Sequence, residues 1–265
     1  MADDERLVAI VTGAGSGIGY ETARALVEKG WEVWDLSRRD RAYSGVKHMS
    51  CDISNEERVI TAVNLIYSRC GHIDLVVNNA GFGISGACEF TSSENAKRLI
   101  DVNLMGADNV CRAVIPYMRE NDGGRIIFIS SAAAAFPIPF QAWYSAGKAA
   151  LNAYALALRN ELKPFGISVC VMMPGDIRTG FTASREKSVE GDDIYNGRID
   201  KAVSAMERDE TNGMEPSYVA QQVIKAAYAS NPAPLKTIGL KYKLLMFLKR
   251  LLPERLINYI LGKLY

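Results

Sequence analysis

The most constraining feature of the sequence is a series of short segments that are apolar along their whole length and that alternate with helical patterns. Strands of this kind are buried on both faces, which happens when helices cover both sides of a parallel sheet. The alternation predicts a single α/β domain built on a doubly wound parallel sheet of about seven strands, with helices on both faces. The predicted strands span residues 7–12, 31–36, 46–51, 73–78, 125–130 and 167–173, with a short seventh near Ile238.

Helical patterns fill the intervals between these strands. A helix is predicted over 55–70, and another over 142–164. A long helix begins with Ser92 or Ser93 as its N-cap and continues past Pro116, where a kink is expected. No linker divides the chain, so residues 1–234 form one domain. Within it, the polar, glycine-containing segment 181–215 is a candidate substrate lid.

Composition excludes several classes of protein. The 265 residues include 31 Lys and Arg against 30 Asp and Glu, so no global field attracts nucleic acid. Five scattered cysteines and two histidines fit neither a disulfide framework nor a metal site, and they suit a reducing compartment. The acidic N-terminus is unlike a signal peptide, and no run of 18 apolar residues predicts a spanning helix. We therefore expect a cytoplasmic protein that binds neither nucleic acid nor metal.

A glycine-rich turn follows the first predicted strand and opens the first helix. Glycines there permit a tight turn and let the backbone approach a pyrophosphate, while the helix N-terminus favours the anion. This strand–turn–helix context predicts a dinucleotide site. The predicted contacts of the turn are Gly13, Gly15, Ser16, Gly17, Ile18 and Gly19.

The end of the second strand indicates which dinucleotide is bound. A site selective for NAD normally has a carboxylate at this strand end, which binds the ribose 2′-hydroxyl. Here Ser37 occupies the position and is followed by Arg38 and Arg39. A hydroxyl and guanidinium groups suit a 2′-phosphate, so we predict NADP(H). Asp35 lies two residues earlier on the same face of the strand, further back, and is the one feature against this prediction.

A contact to the adenine is predicted after the third strand. The carboxylate of Asp52 can accept a hydrogen bond from the adenine amino group, or it can cap a short turn. We include Asp52 and its neighbour Ile53 among the predicted coenzyme contacts.

Tyr144 and Lys148 stand four residues apart where a helical pattern begins. Residues at this spacing share a helix face. A cation beside a phenol favours the phenolate and lowers its pKa. The pair therefore predicts a proton donor and acceptor for an alcohol or carbonyl oxygen.

Over about residues 7–230 the sequence resembles the short-chain dehydrogenase/reductase family, which has a Rossmann-type fold. Residues 12–19 match its TGxxxGxG turn, residues 78–81 match its NNAG motif, and residues 174–179 match its PGxxxT segment. In this family the catalytic serine lies 13 positions before the tyrosine of the Tyr-x-x-x-Lys pair. Counted back from Tyr144, that position is Ser131 and not Ser130. The resemblance implies that Asn79, Ala80, Gly81, Pro174, Gly175, Ile177 and Thr179 contact the coenzyme.

The resemblance also implies a catalytic set of Asn103, Ser131, Tyr144 and Lys148. Tyr144 would be the general acid in reduction and the general base in oxidation, and Ser131 would orient the substrate oxygen. Lys148 would hold the nicotinamide ribose hydroxyls, and Asn103 would hold a water that links Lys148 to solvent. The family commonly dimerises through helices near 93–120 and 142–164, so a homodimer is expected.

Substrate pockets in this fold lie at the carboxyl ends of the strands. The apolar segment 132–140 should form one wall there, and it favours a small lipophilic substrate such as a hydroxysteroid. The predicted substrate residues are Ser131, Ala133, Phe140 and Tyr144.

Residues 235–265, the C-terminal extension, carry seven basic residues and one acidic residue. The helical patterns on either side of Pro253 are amphipathic. Such a segment can dock on the protein's own substrate mouth, contact a partner subunit, or lie on an anionic bilayer as a peripheral membrane contact. The sequence leaves the three open.

The sequence thus predicts an NADP(H)-dependent oxidoreductase that interconverts a lipophilic secondary alcohol and a ketone. One alternative is a 3-oxoacyl-[acyl-carrier-protein] reductase, whose acidic partner would use Arg112, Arg119, Arg125 and the extension. Another is a non-catalytic NADP(H)-binding sensor or scaffold, against which the intact catalytic set argues.

Overall fold

The computed structural model describes residues 6–39 and 44–265. Its strands are β1 (Val8–Thr12), β2 (Glu32–Ser37), β3 (Val46–Ser50), β4 (Leu75–Asn78), β5 (Ile84–Ser85), β6 (Gly124–Ile129), β7 (Ile167–Pro174), β8 (Glu186–Lys187) and β9 (Leu235–Ile238). Seven of them form one parallel sheet in the order β3-β2-β1-β4-β6-β7-β9. The strand order reverses direction between β1 and β4, which is where open α/β sheets bind ligands.

The α-helices alternate with these strands. They are α1 (Gly17–Glu28), α2 (Glu56–Cys70), α3 (Ser93–Ile100), α4 (Gly106–Glu120), α5 (Ala142–Leu162), α6 (Phe181–Ser184), α7 (Arg198–Thr211), α8 (Pro216–Tyr228), α9 (Leu240–Leu251) and α10 (Glu254–Leu264). Short 3₁₀ turns cover Cys88–Phe90, Ala132–Ala134 and Lys163–Phe165, and a π-helical turn covers Asp101–Met105.

Two hydrophobic cores, one on each face of the sheet, hold the layers together. On β1, Ile10 packs into the core shared with α2, α4 and α5, whereas Val11 packs into the core shared with α1 and α8. Both side chains are fully buried. Because neighbouring strand residues point to opposite faces, burial of both requires helices on both sides. The predicted doubly wound α/β fold is therefore confirmed.

Local signals place the helix ends. Asn55 caps α2 by accepting a hydrogen bond from the Arg58 amide at 3.0 Å. Ser92, the first of the two candidates, caps α3 by accepting from the Asn95 amide at 3.1 Å. The long helix is irregular at Asp101–Met105, where it widens to a π-helical turn, and α4 continues through Pro116.

The candidate lid and the C-terminal extension both have defined structure. The lid segment contains α6, β8 and α7, and β8 pairs with β5 in a second, two-stranded sheet. The extension adds β9 to the main sheet and then forms α9 and α10, which are separated at Pro253 as predicted. Within the described residues, no helix has the length and apolarity needed to span a membrane.

Candidate active site

A cleft of about 1180 Å³ runs along the carboxyl ends of the strands. It extends from the glycine turn at Gly13, past Arg38 at the end of β2, to Tyr144 and then to Leu264 in α10. One continuous cavity thus joins the predicted dinucleotide site, the predicted catalytic residues and the C-terminal extension.

The glycine turn has the backbone that its sequence predicts. Gly13 and Gly17 adopt φ angles of +67° and +55°, where side chains are strained. A β carbon on Gly13 would lie 3.1 Å from the Cα of Ala80. Ser16 is the N-cap of α1, yet its side chain makes no capping hydrogen bond. An anion held at this helix N-terminus would take the place of the missing cap, so the turn fits a pyrophosphate.

Side chains from neighbouring strands hold the turn in place. Asn79 Nδ2 donates to the carbonyl oxygens of Thr12 and Gly13, at 3.0 and 3.2 Å. Thr12 Oγ1 accepts from the amides of Asn79 and Ala80, each at 3.0 Å. Gly19 does not line the cleft. A β carbon there would overlap the Asn79 side chain and the Gly13 carbonyl, so Gly19 permits close packing behind the turn.

Asp35 is committed to the protein's own framework. The residue is 1% exposed. Oδ1 accepts from the Ala14 amide at 2.9 Å, and Oδ2 accepts from Ser37 Oγ at 2.8 Å and lies 3.1 Å from His48 Nδ1. This carboxylate therefore braces the glycine turn and is not free to bind a ribose.

Arg38 and Arg39 line the cleft at the end of β2 and are exposed to solvent, and Ser37 lines it beside them. Ser37 Oγ is already engaged by Asp35, which leaves the guanidinium groups as the available donors. Asp52 Oδ1 accepts from the amide and hydroxyl of Ser54, at 3.0 and 2.7 Å. Asp52 thus caps a short turn, and both it and Ile53 also line the cleft.

The four predicted catalytic residues come from three different elements. Tyr144 and Lys148 occupy the first two turns of α5, Ser131 follows β6, and Asn103 lies in the π-helical turn. The Ser131 side chain lies close enough to the Tyr144 phenol to lower its pKa, whereas Ser130 Oγ donates to the Lys148 carbonyl at 3.3 Å. The hydroxyl that meets the phenol therefore belongs to Ser131.

The electrostatics of the pair differ from the prediction. Burial raises the pKa of Tyr144 to about 12, against the opposite effect of the nearby Ser131 hydroxyl. Burial also lowers the pKa of Lys148 from 10.5 to about 8. The lysine Nζ donates to the Ile129 carbonyl at 3.0 Å and lies 5.9 Å from the Tyr144 ring centroid. The expected lowering of the phenol pKa by Lys148 is wrong for these residues by themselves, because burial dominates the shift and the cation that opposes it is Arg185.

Asn103 is fixed by the backbone of Phe82. Its Oδ1 accepts from the Phe82 amide at 3.0 Å, and its Nδ2 donates to the Phe82 carbonyl at 2.9 Å. A β carbon on Gly81 would lie 2.9 Å from Asn103 Oδ1 and 3.6 Å from Lys148 Nζ. Gly81 thus separates the two side chains, and the water-mediated relay between them stays a prediction.

The predicted contacts after β7 also line the cleft, namely Pro174, Gly175, Ile177 and Thr179. Thr179 Oγ1 accepts from the Phe181 amide at 3.1 Å. Its side chain lies against Gly17, where a β carbon would be 3.3 Å away. The segment after β7 therefore meets the glycine turn across the cleft.

The substrate wall differs from the prediction in one residue. Ala133 lines the cleft, but Phe140 does not. Phe140 has a φ of +61°, and its ring packs edge-on against Tyr195, with the centroids 5.6 Å apart. It belongs to a small separate hydrophobic cluster, and Phe136 and Ile138 line the cleft instead. Sequence reasoning also missed Phe181, whose ring centroid lies 5.7 Å from that of Tyr144.

The C-terminal extension covers this end of the cleft. The Tyr242 hydroxyl donates to Asp176, and Lys249 Nζ donates to the Ala135 carbonyl at 2.5 Å. The C-terminal extension therefore docks on the protein's own substrate mouth, which is one of the three placements that the sequence left open. The extension residues that line the cleft are Lys241, Tyr242, Leu245, Leu248, Lys249, Leu252, Ile257, Ile260, Leu261, Leu264 and Tyr265.

A doubly wound sheet with this cleft at its carboxyl edge defines the class of dinucleotide-dependent oxidoreductases. The family profile described as short chain dehydrogenase matches residues 7–190. The chain belongs to the short-chain dehydrogenase family.

Relatives extend this likeness over nearly the whole chain. A 3-ketodihydrosphingosine reductase of Bacteroides thetaiotaomicron is 36% identical over 263 residues, covering 97% of both chains. A short-chain dehydrogenase from Streptomyces avermitilis superposes with a TM-score of 0.83 at 28% identity, covering 95% of this chain and 94% of that one. A 3-ketoacyl-(acyl-carrier-protein) reductase from Brucella melitensis, complexed with NADH, has a TM-score of 0.72 at 26% identity, with 88% and 97% coverage.

Proposed function

We propose that this chain is an NADP(H)-dependent reductase of a long-chain amphiphilic ketone of the 3-ketodihydrosphingosine type. The observation that carries the proposal is the apolar wall that α9 and α10 add to the cleft beyond Tyr144. That wall lengthens the cavity in the direction in which an alkyl chain would leave the reacting ketone. The 36% identity to a reductase of this name supports the same substrate class.

The coenzyme end of the cleft fits a nicotinamide dinucleotide. The glycine turn and the uncapped start of α1 would hold the pyrophosphate, and Pro174 to Thr179 would contact the nicotinamide. Arg38 and Arg39 favour the 2′-phosphate of NADP(H), since Asp35 is occupied by Ala14 and Ser37. The Brucella reductase carries NADH, so coenzyme choice rests on these side chains of the present chain. When bound, the coenzyme supplies the hydride.

Proton transfer is the task of Tyr144. Ser131, whose hydroxyl lies close to the phenol, would orient the carbonyl oxygen so that the phenol can protonate it as the alcohol forms. A phenol with a pKa of about 12 stays protonated at neutral pH and so enters the reduction as a donor. Lys148 would hold the ribose hydroxyls, and Asn103 would link Lys148 to solvent through a water.

The alkyl chain of the substrate would lie on the extension. Each methylene buried there contributes about 0.8 kcal/mol, so several side chains of this wall are enough to favour long chains over short ones. The wall consists of Leu245, Leu248, Leu252, Ile257, Leu261 and Leu264.

Carboxylates near the reacting end suit a substrate that bears an amine beside its ketone. Asp176 and Asp209 line the cleft, Asp176 accepts a hydrogen bond from the Tyr242 hydroxyl, and Asp209 lies near the Tyr265 phenol. Glu210 also lines the cleft, but it is paired with the buried Arg185 and accepts from the Thr182 hydroxyl, so it is not available to a substrate amine. The negative charges of Asp176 and Asp209 favour an amino ketone over an uncharged steroid. The names of the relatives give no support for a steroid substrate.

The 3-oxoacyl-carrier alternative has one observation in its favour, the likeness to the Brucella reductase. The arginines expected to bind an acidic carrier are engaged within the chain. Arg112 pairs with Glu56 at 3.1 Å, Arg119 lies over the Phe165 ring, and Arg125 donates to the Ala226 and Ala227 carbonyls.

The test is NADPH consumption by the purified protein with four ketones. These are 3-ketodihydrosphingosine, a ketone of the same chain length without the amine, a steroid ketone and a 3-oxoacyl thioester. We expect the highest kcat/KM for the amino ketone and the next highest for the amine-free chain. Preference for the thioester would replace the proposal with the carrier-linked reductase. NADPH binding without turnover of any ketone would leave the sensor interpretation.

A further inference from the structure

We propose that the outward face of the C-terminal extension docks the protein on an anionic lipid bilayer. Its core is an apolar stripe on α9, the outer stripe, formed by Leu240, Leu244, Phe247 and Leu251. These side chains are 85%, 57%, 58% and 65% exposed. Their spacing of four, three and four residues puts them on one helix face.

The outer stripe is distinct from the face of α9 that lines the cleft. Leu245, Leu248 and Leu252 line the cleft, whereas no residue of the outer stripe does. The helix is therefore apolar on two sides, and residues 6–39 and 44–265 cover only one of them. Four large apolar side chains in one exposed row are unusual on a protein that meets only water.

α10 continues the apolar surface to the mouth of the cleft. Leu256, Tyr259, Ile260 and Leu264 are all exposed. Ile260 and Leu264 line the cleft as well. The rim of the cavity and the exposed apolar surface thus share residues, so a molecule dissolved in the bilayer would meet the cavity at an apolar edge.

Charge complementarity identifies the occupant. The extension has seven basic residues and one acidic residue, a net charge of +6, while residues 1–234 have 24 basic and 29 acidic residues, a net charge of −5. Lys243 and Arg250 are exposed and follow Leu240 and Phe247 by three residues, which places them beside the outer stripe. An apolar row flanked by cations fits an anionic membrane surface.

A second copy of the chain is a poorer partner for this face. A two-fold contact brings the same patch of each subunit together, so two extensions of charge +6 would meet. Like charges across an interface oppose association, whereas anionic headgroups neutralise them.

Docking also explains how a lipophilic ketone would reach Tyr144, and this consequence alone rests on the proposed function. A long-chain amphiphile partitions into the bilayer and would enter the cavity between Ile260 and Leu264 without crossing water. The docking itself requires neither turnover nor coenzyme.

The test is flotation of the full-length protein, without coenzyme or substrate, with two kinds of vesicle. One contains phosphatidylcholine alone and the other contains equal parts of phosphatidylcholine and phosphatidylglycerol. The stripe variant is Leu244→Glu/Phe247→Glu. Its matched control is Ile60→Glu/Leu65→Glu, which adds the same charge at two exposed apolar positions of α2. Thermal unfolding of both variants establishes that they are folded.

The wild type and the α2 control should float with the anionic vesicles, and added salt should weaken their binding. The stripe variant should lose about tenfold or more of this binding, since two buried apolar contacts are replaced by charges that anionic lipid repels. Equal partitioning of all three proteins would overturn the proposal. A second result would also overturn it: the wild type does not float and is an oligomer, and the stripe variant is a monomer. The outer stripe would then be a subunit interface.

Discussion

The ring of Tyr242 lies so close to Gly175 that a β carbon at position 175 would overlap it. Gly175 belongs to the segment after β7 that lines the cleft, and Tyr242 belongs to α9 of the extension. The Tyr242 hydroxyl donates to Asp176, the next residue along the chain. The extension is therefore anchored on the backbone beside the predicted nicotinamide contacts.

Gly175→Ala should dislodge this anchor. We expect a loss of stability of about 1–3 kcal/mol from overpacking, together with faster proteolysis of the extension. Gly180→Ala is the matched control, because a β carbon there has no atom within 4 Å. The double variant Gly175→Ala/Tyr242→Ala should be no less stable than Tyr242→Ala, as measured by urea denaturation. Additive losses in the double variant would show that the two residues act separately.

Tyr144→Phe should lower kcat by about 100-fold or more, since it removes the proposed general acid. Coenzyme binding, followed by NADPH fluorescence, should be close to that of the wild type. The control is Tyr154→Phe on the same helix, which removes a hydroxyl bonded to Asp108 at 2.8 Å outside the cleft. Substantial turnover by the Tyr144 variant would remove this residue from the mechanism.

Arg38→Asp should shift coenzyme preference from NADP(H) toward NAD(H), because a carboxylate repels the 2′-phosphate and accepts from a ribose hydroxyl. We expect the ratio of kcat/KM values for the two coenzymes to change by about tenfold or more. Arg24→Asp makes the same charge change on α1 and does not line the cleft. An unchanged ratio in the Arg38 variant would refute the 2′-phosphate assignment.

The depressed pKa of Lys148 predicts a pH dependence of stability. Burial disfavours its charged form, so between pH 8 and 10.5 the unfolded chain binds more protons than the folded protein. The contribution of Lys148 to the free energy of unfolding is lowest below pH 8 and rises with pH between pH 8 and 10.5. Above pH 10.5 it reaches its full value. The total change is at most about 3 kcal/mol.

Urea denaturation across this pH range checks the prediction. Lys148→Met should lack the rise, while Lys201→Met, on an exposed position of α7, should follow the wild type. Parallel curves for the wild type and Lys148→Met would show that the ammonium is not destabilised by burial.

Leu261→Trp should shorten the apolar end of the cleft. We expect kcat/KM to fall by about tenfold for a long-chain ketone and much less for a short-chain ketone. Leu256→Trp, on the same helix but outside the cleft, is the control. Equal losses for both chain lengths would mean that the alkyl chain lies elsewhere.

The sheet and the ends of most elements could be predicted because they depend on local chemistry. Val8 to Thr12 is buried throughout, which the apolar run indicated, and Ser92 caps α3 as its residue type predicts. The spacing to Tyr144 along the chain separated Ser131 from Ser130, and the Ser131 side chain is the one that lies near the phenol.

Features that depend on tertiary burial were not predictable in the same way. The sign of the Tyr144 pKa shift is set by desolvation, which spacing does not reveal. Phe140 leaves the cleft because its left-handed backbone turns its ring toward Tyr195. Helical periodicity located apolar residues on α9 but could not say which of them faces the cleft, since both sides of the helix are apolar.

Much of the apolar cavity wall beyond Tyr144 comes from residues 240–265, whereas the family profile matches residues 7–190. Under the proposed function, the proton-transfer residues and the surface that selects the alkyl chain are encoded in separate stretches of the gene. Substitutions in residues 240–265 would then change which substrates are accepted, while the predicted catalytic residues stay the same. A chimera that exchanges this terminal piece between relatives would transfer substrate preference as a unit.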